Sequence, residues 1–307
     1  RLSEVSGISR EKARTIGEEF RLQVGMRSLL EFFALHHLSA ELAVKTYKLY
    51  GEAAMDMLYD DPYLLTEEGL EAPFGAVDRF AIDLGFAGDD PRRVKAGLFF
   101  ELRYNLTAGH SFLPEEKLIG ATAMLLSVET DVAHNALERL IQSEQLVRAE
   151  LAGITVIYLP ALYEAERYCT RRLQEFAGCH FPKSAFFGRM VKTAAQSSGF
   201  TYSAEQAQAI EDAATTGLLL VTGGPGTGKT TIVNGILSLY DQMGLSCVLA
   251  APTGRAAKRL TEVTGQDAST IHRLLGAGID PHTGELFFSK NEEDPLKADA
   301  VIVDEMS

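Results

Sequence analysis

Eight consecutive residues, Gly223-Gly224-Pro225-Gly226-Thr227-Gly228-Lys229-Thr230, restrict this chain more than any other feature. Four glycines in such a short run let the backbone enter conformations that side chains forbid, so that successive N–H groups converge on one point. Leu218 to Thr222, just before them, is an apolar run that predicts a strand, and Thr230 to Tyr240 has helical spacing. A strand, a glycine loop and a helix N-terminus in that order form a cradle for phosphate. Lys229 would reach β- and γ-phosphates as a point charge, and the Thr230 hydroxyl would ligate Mg²⁺. Gly224, Pro225, Gly226, Thr227, Gly228 and Thr231 complete the candidate loop, with ATP and Mg²⁺ as the expected cofactors.

A second motif follows about 75 residues after Lys229, where Val301-Ile302-Val303 runs into Asp304-Glu305. A carboxylate at a strand end beside a phosphate cradle can hold Mg²⁺ through its water shell, and a neighbouring one can orient or deprotonate water. Lys229, Asp304 and Glu305 are therefore the candidate catalytic residues, and Thr230 and Asp304 the candidate metal ligands. Leu218 to Thr222, Cys247 to Ala251 and Ala300 to Val303, with helical stretches between them, predict a parallel α/β sheet.

The first third reads differently. Ser9 can cap a helix through Lys12, Ala13, Ile16 and Phe20; a second unit runs through Leu29, Phe33 and Leu35, turns near His37-Leu38-Ser39 and stops at Gly51; a third spans Asp61-Pro62 to Gly85. Glu115 to Val128 and Thr130 to Glu144 predict two further helices, and Leu146 to Leu159 a hairpin turning at Ala152-Gly153. Helix, helix, hairpin is the outline of a winged helix, and its second helix, with only His134 and Arg139 as polar contacts, is expected to be structural. The domain boundaries read from these shifts are 1–110, 111–190 and 191–307.

Bulk charge points away from a polyanion. Lys and Arg number 29 against 42 Asp and Glu, a net charge of −13, and Ser39 to Asp90 alone holds twelve acids against three cations. Any phosphate contact must therefore be local, as near Arg10 to Arg27 and Arg255 to Arg273. No apolar run approaches the roughly 18 residues that a membrane span needs. Three cysteines, Cys169, Cys179 and Cys247, lack zinc-ligand spacing and fit a reducing cytoplasm. The chain starts at Arg1 and stops just after its third expected strand, which suggests a piece of something longer.

Taken in order, Gln206 in Ser203-Ala204-Glu205-Gln206, the loop Thr222 to Thr231, Ala250 to Ala257, Thr270 to Leu275 and Val303 to Ser307 resemble successive motifs of superfamily 1 helicases, and those of the RecD type best. Asp61-Pro62-Tyr63-Leu64, Arg92 to Tyr104 and Gly109-His110 resemble the N-terminal extension of stand-alone members. The resemblance implies a helical region with helix-hairpin-helix and winged-helix-like parts, followed by a truncated RecA-like P-loop domain. It further implies ATP-driven 5′-to-3′ movement on single-stranded DNA and unwinding at single/double-strand junctions, in DNA repair or recombination, by a monomer in the cytoplasm. By the same resemblance Gln206 would read adenine, while Thr253, Arg255 and His272 would line the strand-binding groove. From the residues alone, Arg255, Lys258 and Arg259 also read as a solvated helix face, His272 as structural and Gln206 as an exposed helical residue. The hairpin glycine is replaced by Ser9 in the first unit and absent from His37-Leu38-Ser39 in the second, where packing competes with DNA contact. A cationic finger and a γ-phosphate sensor would come from beyond Ser307, so the piece by itself is not expected to turn over. The alternative from another class is a nucleotide switch that remodels proteins, with this piece as a DNA- or partner-binding scaffold.

Overall fold

A computed structural model describes residues 24–199, 201–224, 226–281, 284 and 286–306. The first helical pair expected around Ser9, together with Pro225 and Ser307, lies outside the described residues. The chain divides into two compact units, one reaching Arg167 and the other starting at Tyr168.

The first unit begins with helix α1 (residues 24–35), a turn, and α2 (Ala40–Tyr50). The turn that lacks glycine is made by His37 at φ 59°, and Ser39 caps α2 by accepting from the Leu42 amide at 3.1 Å. Its amides are already used, Leu38 N donating to Phe33 O at 2.8 Å and His37 N to Ala34 O at 3.3 Å. Gly51, at φ 58°, ends α2 as its spacing predicts. Next come α3 (Ala54–Asp60), a 3₁₀ turn at Pro62–Thr66 capped by Asp61, α4 (Phe74–Asp83) and α5 (Pro91–Leu106).

The expected helix, helix, hairpin follows as α6 (Glu115–Leu126), α7 (Thr130–Gln142), β2 (Val147–Leu151) and β3 (Ile154–Tyr158). Ala152 and Gly153 both take positive φ, as a two-residue hairpin turn demands. An additional strand, β1 (Phe112–Pro114), pairs antiparallel with β3 and gives the order β1-β3-β2. Three residues ending in a proline carry too little pattern to be read from sequence. One apolar cluster joins Leu29 and Phe33 to Leu98, Leu118, Leu137 and Ile157, so helical pairs and wing share a core.

Arg93 is the polar hub of that core, 8% exposed. Its guanidinium grips Asp78 with two bonds, at 2.8 and 2.9 Å, and donates to Gly88 O at 2.6 Å and Leu126 O at 2.9 Å. The Tyr63 hydroxyl donates to the same carboxylate at 2.8 Å, and burial together with that bond pushes its pKa far up. One residue thus ties α4, α5 and the end of α6.

Helix α8 (Pro160–Ala177) contains no buried residue. The second unit continues with α9 (Phe187–Ser198), whose last turn includes the polar stretch from Ala194 that the sequence suggested as a break. After it come α10 (Ala204–Ala213), α11 (Lys229–Met243), β4 (Cys247–Ala251), α12 (Gly254–Thr264), β5 (Ala268–Thr270), α13 (Ile271–Leu274), the hairpin β6 (Ala277–Ile279) and β7 (Leu286–Phe288), and β8 (Ala300–Val303). Strands β5, β4 and β8 lie in that order and are parallel, as expected. Leu218 to Thr222 corrects the reading: it joins no strand ladder. Its side chains still alternate, Leu219 and Val221 packing with Ile302 and α11 while Leu220 is 79% exposed. The apolar alternation is real, but it reports which face is buried and not whether the backbone finds a ladder partner. No helix among the described residues is long and apolar enough to cross a membrane.

Two measurements check this arrangement. Arg93→Ala strands the Asp78 carboxylate in the core and should cost about 3–5 kcal/mol in a urea melt. Burial pushes the Cys247 thiol up to about 11 at the start of β4, whereas Cys169 and Cys179 are exposed. At pH 8, below that value, Cys247 remains thiol, and mass spectrometry should find it alkylated by iodoacetamide well after the other two.

Candidate functional site

Helix α11 starts without a side-chain cap, unlike its neighbours. Ser203 caps α10, Thr253 caps α12 and Thr270 caps α13, each hydroxyl accepting an amide three residues on. The residue at the same position of α11 is Gly228, at φ 88°, so the first amides of a 15-residue helix are left for another acceptor. Gly226 is also left-handed, at φ 77°. The Thr227 hydroxyl folds back to Gly224 O at 2.9 Å and tightens the loop.

Lys229 donates to Gly223 O at 2.5 Å and Gly224 O at 3.0 Å, and forms no ion pair among the described residues. A full positive charge held by two carbonyl dipoles is chemically matched to an anion with several acceptor oxygens. The loop backbone, the uncapped helix start and this ammonium together fit a polyphosphate.

Gln206 connects the loop to α10. Its Oε1 accepts from Ser203 N at 3.0 Å while Ser203 Oγ accepts from Gln206 N at 3.2 Å, which is a reciprocal capping box. Its Nε2 donates to Thr227 O at 3.4 Å. A Cβ on Gly228 would stand 2.5 Å from that nitrogen and displace the Gln206 amide, while the φ of 88° is what calls for glycine there. Between α10 and the loop lies an open cleft of about 760 Å³, lined by Ser203, Gln206, Val221, Thr227 and Lys229. Glu205, Gln208 and Asp212 also line it; sequence reading passed over them, although their helical spacing on α10 marks one face.

The acids occupy a different place. Asp304 follows β8 directly, and its amide donates to Ala250 O at 3.0 Å, extending the β4–β8 ladder by one residue. Glu305 is exposed and left-handed at φ 57°, a costly conformation for a residue with a side chain. Thr253 follows β4 and Thr270 is the last residue of β5, so all three strands deliver polar residues at their C-terminal ends, the edge where open α/β sheets collect ligands. Thr230, Asp304, Thr253, Arg255 and His272 do not line the cleft beside Gln206. Arg255 is exposed on the first turn of α12, and the exposed His272 ring lies 6.1 Å from that of Phe288.

One other cluster has metal-like composition: Glu115, His134 and Glu138, with ligand atoms within 4.8 Å of one another. Arg148 bonds both carboxylates there and already supplies their counter-charge. That cluster is structural, joining β2 to α6 and α7.

Comparison with known proteins agrees with the order of these parts. The family described as the ATP-dependent RecD2 DNA helicase HHH domain matches residues 22–112, and an AAA domain family matches residues 206–307. The ATP-dependent RecD2 DNA helicase of Deinococcus radiodurans is 34% identical over 302 residues, which is 95% of this chain and 40% of that protein. The RecBCD enzyme subunit RecD of Mycolicibacterium smegmatis is 39% identical over 126 residues, covering 34% of this chain and 22% of the relative. The ATP-dependent DNA helicase dda of phage T4 is 42% identical over 91 residues, 28% of this chain and 20% of its own length. The chain thus spans about two fifths of the RecD2 relative and about a fifth of the other two. With a match to the RecD2 helix-hairpin-helix family, a wing and a phosphate loop in this order, the chain is similar to the N-terminal portion of RecD-like helicases.

Proposed function

We propose that this chain forms the nucleotide-binding portion of an ATP-dependent DNA helicase that moves 5′-to-3′ on single-stranded DNA and opens duplex at single/double-strand junctions, in repair or recombination. The observation that carries this is the Lys229 ammonium, held by loop carbonyls alone beside an uncapped helix start. Three modules share the work in this reading: residues 1–110 as a helical scaffold, 111–190 as a wing and connector, and 191–307 as the first RecA-like motor domain. The protein acts as a monomer in the cytoplasm, where Cys169, Cys179 and Cys247 stay free thiols.

The loop amides from Gly224 to Thr231 would receive the phosphates of ATP, with Lys229 supplying the point charge. Gln206 lines the same cleft and would hold adenine there. Thr230 and Asp304 would hold Mg²⁺, which supplies charge neutralisation to the phosphates when bound. Glu305, freed from the strand by its left-handed backbone, would orient the attacking water and accept its proton. Thr253, Arg255 and His272, exposed near the C-terminal ends of β4 and β5, would contact the DNA backbone.

Calorimetry on this chain with ATP and Mg²⁺ should show binding that falls at least about tenfold in Lys229→Ala, from the loss of a charge-assisted contact. On the protein, ATP hydrolysis should rise with single-stranded DNA; no stimulation, or no ATP uptake by the chain, rejects the reading. Gly228→Ala should weaken nucleotide binding as well, and should cost about 1–3 kcal/mol in a denaturant melt because the left-handed φ opposes a Cβ.

A further inference from the structure

The two longest stretches of this sequence without Asp or Glu are 213–240 and 176–204. In a chain with 42 acids, such windows stand out, and the first has an evident use because it contains the phosphate loop. The second lies elsewhere, across the end of α8, a connecting segment and α9, and the nucleotide site does not use it.

Its outward side combines cations with exposed rings. Helix α9 buries Phe187, Val191 and Ala194, leaving Arg189 and Lys192, one turn apart, exposed. Phe186, at the start of that helix, is 57% exposed, and the Arg189 guanidinium lies over its ring at 5.5 Å. Phe181 is 56% exposed on a segment fixed by the Phe181 amide donating to Thr215 O at 2.8 Å. Lys183 is paired with Glu211 at 2.7 Å and is thus spoken for. Arg189 and Lys192 make no ion pair with any described carboxylate.

Large exposed rings cost hydration; α9 supplies no carboxylate of its own, and Glu211 of α10, which lies against Gly188, is neutralised by Lys183, so the surface repels phosphate little. Aromatic faces interleaved with unpaired cations are what a single strand offers bases and phosphates to, without sequence readout. We propose that the α9 strip formed by Phe186, Arg189 and Lys192, extended by Phe181, is a second docking surface for single-stranded DNA, separate from the residues expected to contact DNA at the sheet edge. The identity of the polymer rests on the helicase reading; the placement of the strip rests on charge and exposure.

The test is fluorescence anisotropy of a labelled oligothymidylate against this chain over a series of salt concentrations. Charge-neutral Arg189→Gln/Lys192→Gln should weaken binding about tenfold at low salt and lower the log–log salt slope by about 1.4, the value for two phosphate contacts on a single strand. Phe186→Ala should weaken binding about fivefold or more and leave the slope unchanged, as loss of one stacked base does. ATP uptake should be unaffected in both variants, which also shows that they are folded. If both variants bind like the wild type while Thr253→Ala/Arg255→Ala does not, the strip is refuted and the helicase reading survives. A wild-type chain that takes up ATP but binds no single strand refutes the strip too. Tighter binding of duplex than of single strand, with Phe186→Ala silent, refutes the stacking role.

Discussion

Backbone amides at the first turn of a helix must find acceptors, and the second unit depends on how this chain distributes them. Three of its helices begin on Ser or Thr, which close that account with a hydroxyl. Helix α11 begins on Gly228, which offers nothing and whose φ of 88° aims the preceding peptides into the loop. The uncapped donors and the Lys229 ammonium converge there beside the Gln206 amide, and donors left open at a helix start would be a defect in a chain selected for stability alone. The Gln206 amide reaches the same loop by donating to Thr227 O at 3.4 Å, so the loop and the cleft wall are linked. A reciprocal capping box on α10 therefore does more than start a helix: it holds rigid the one side chain that bridges to the loop.

Elements announced by short-range chemistry were legible in the sequence. Ser39 and Gly51 bound α2, Ala152-Gly153 turns the hairpin, and the glycine loop precedes α11, because caps and tight turns are decided within about four residues. What escaped depends on distant partners. Leu218 to Thr222 has the alternation of a strand, and Leu219 and Val221 obey it, yet hydrogen-bonded pairing is a property of the neighbour. Nothing local in Arg93 says that it will be buried; four acceptors brought from α4, α6 and a loop make that tolerable. No local pattern marks the left-handed Glu305, whereas the Thr253 cap on α12 spans only three residues and was open to reading. Helix α8 was missed because its exposed charges and rings pair along the helix, Arg172 with Glu175 and Phe176, without the buried stripe that normally marks a helix.

The helical pairs of the first unit show how a motif can keep its shape and lose its chemistry. Hairpins that bind DNA backbone do so by presenting free amides at a glycine-rich turn. Here His37 adopts the left-handed conformation in place of glycine, and the amides of His37 and Leu38 are already bonded to Ala34 O and Phe33 O. The surrounding stretch from Ser39 to Asp90 is the most acidic part of the chain. Both facts argue that this pair is used for packing, with Phe33 fully buried at its centre.

Net charge is consequently a poor guide to this protein. At physiological salt the field of a charge fades over about 8 Å, so a phosphate responds to the charges near its own site and not to the total of the chain. What a phosphate senses is the net charge within that distance: Glu211 beside α9 is paired with Lys183, while Glu205 and Asp212 share the cleft with Lys229. An acidic remainder then serves a purpose: it discourages a polyanion from settling elsewhere, leaving few local cations to decide where a strand is held. Under the proposed function, a few well-placed cations would let a strand be released as readily as it is held, which a uniformly basic surface would not.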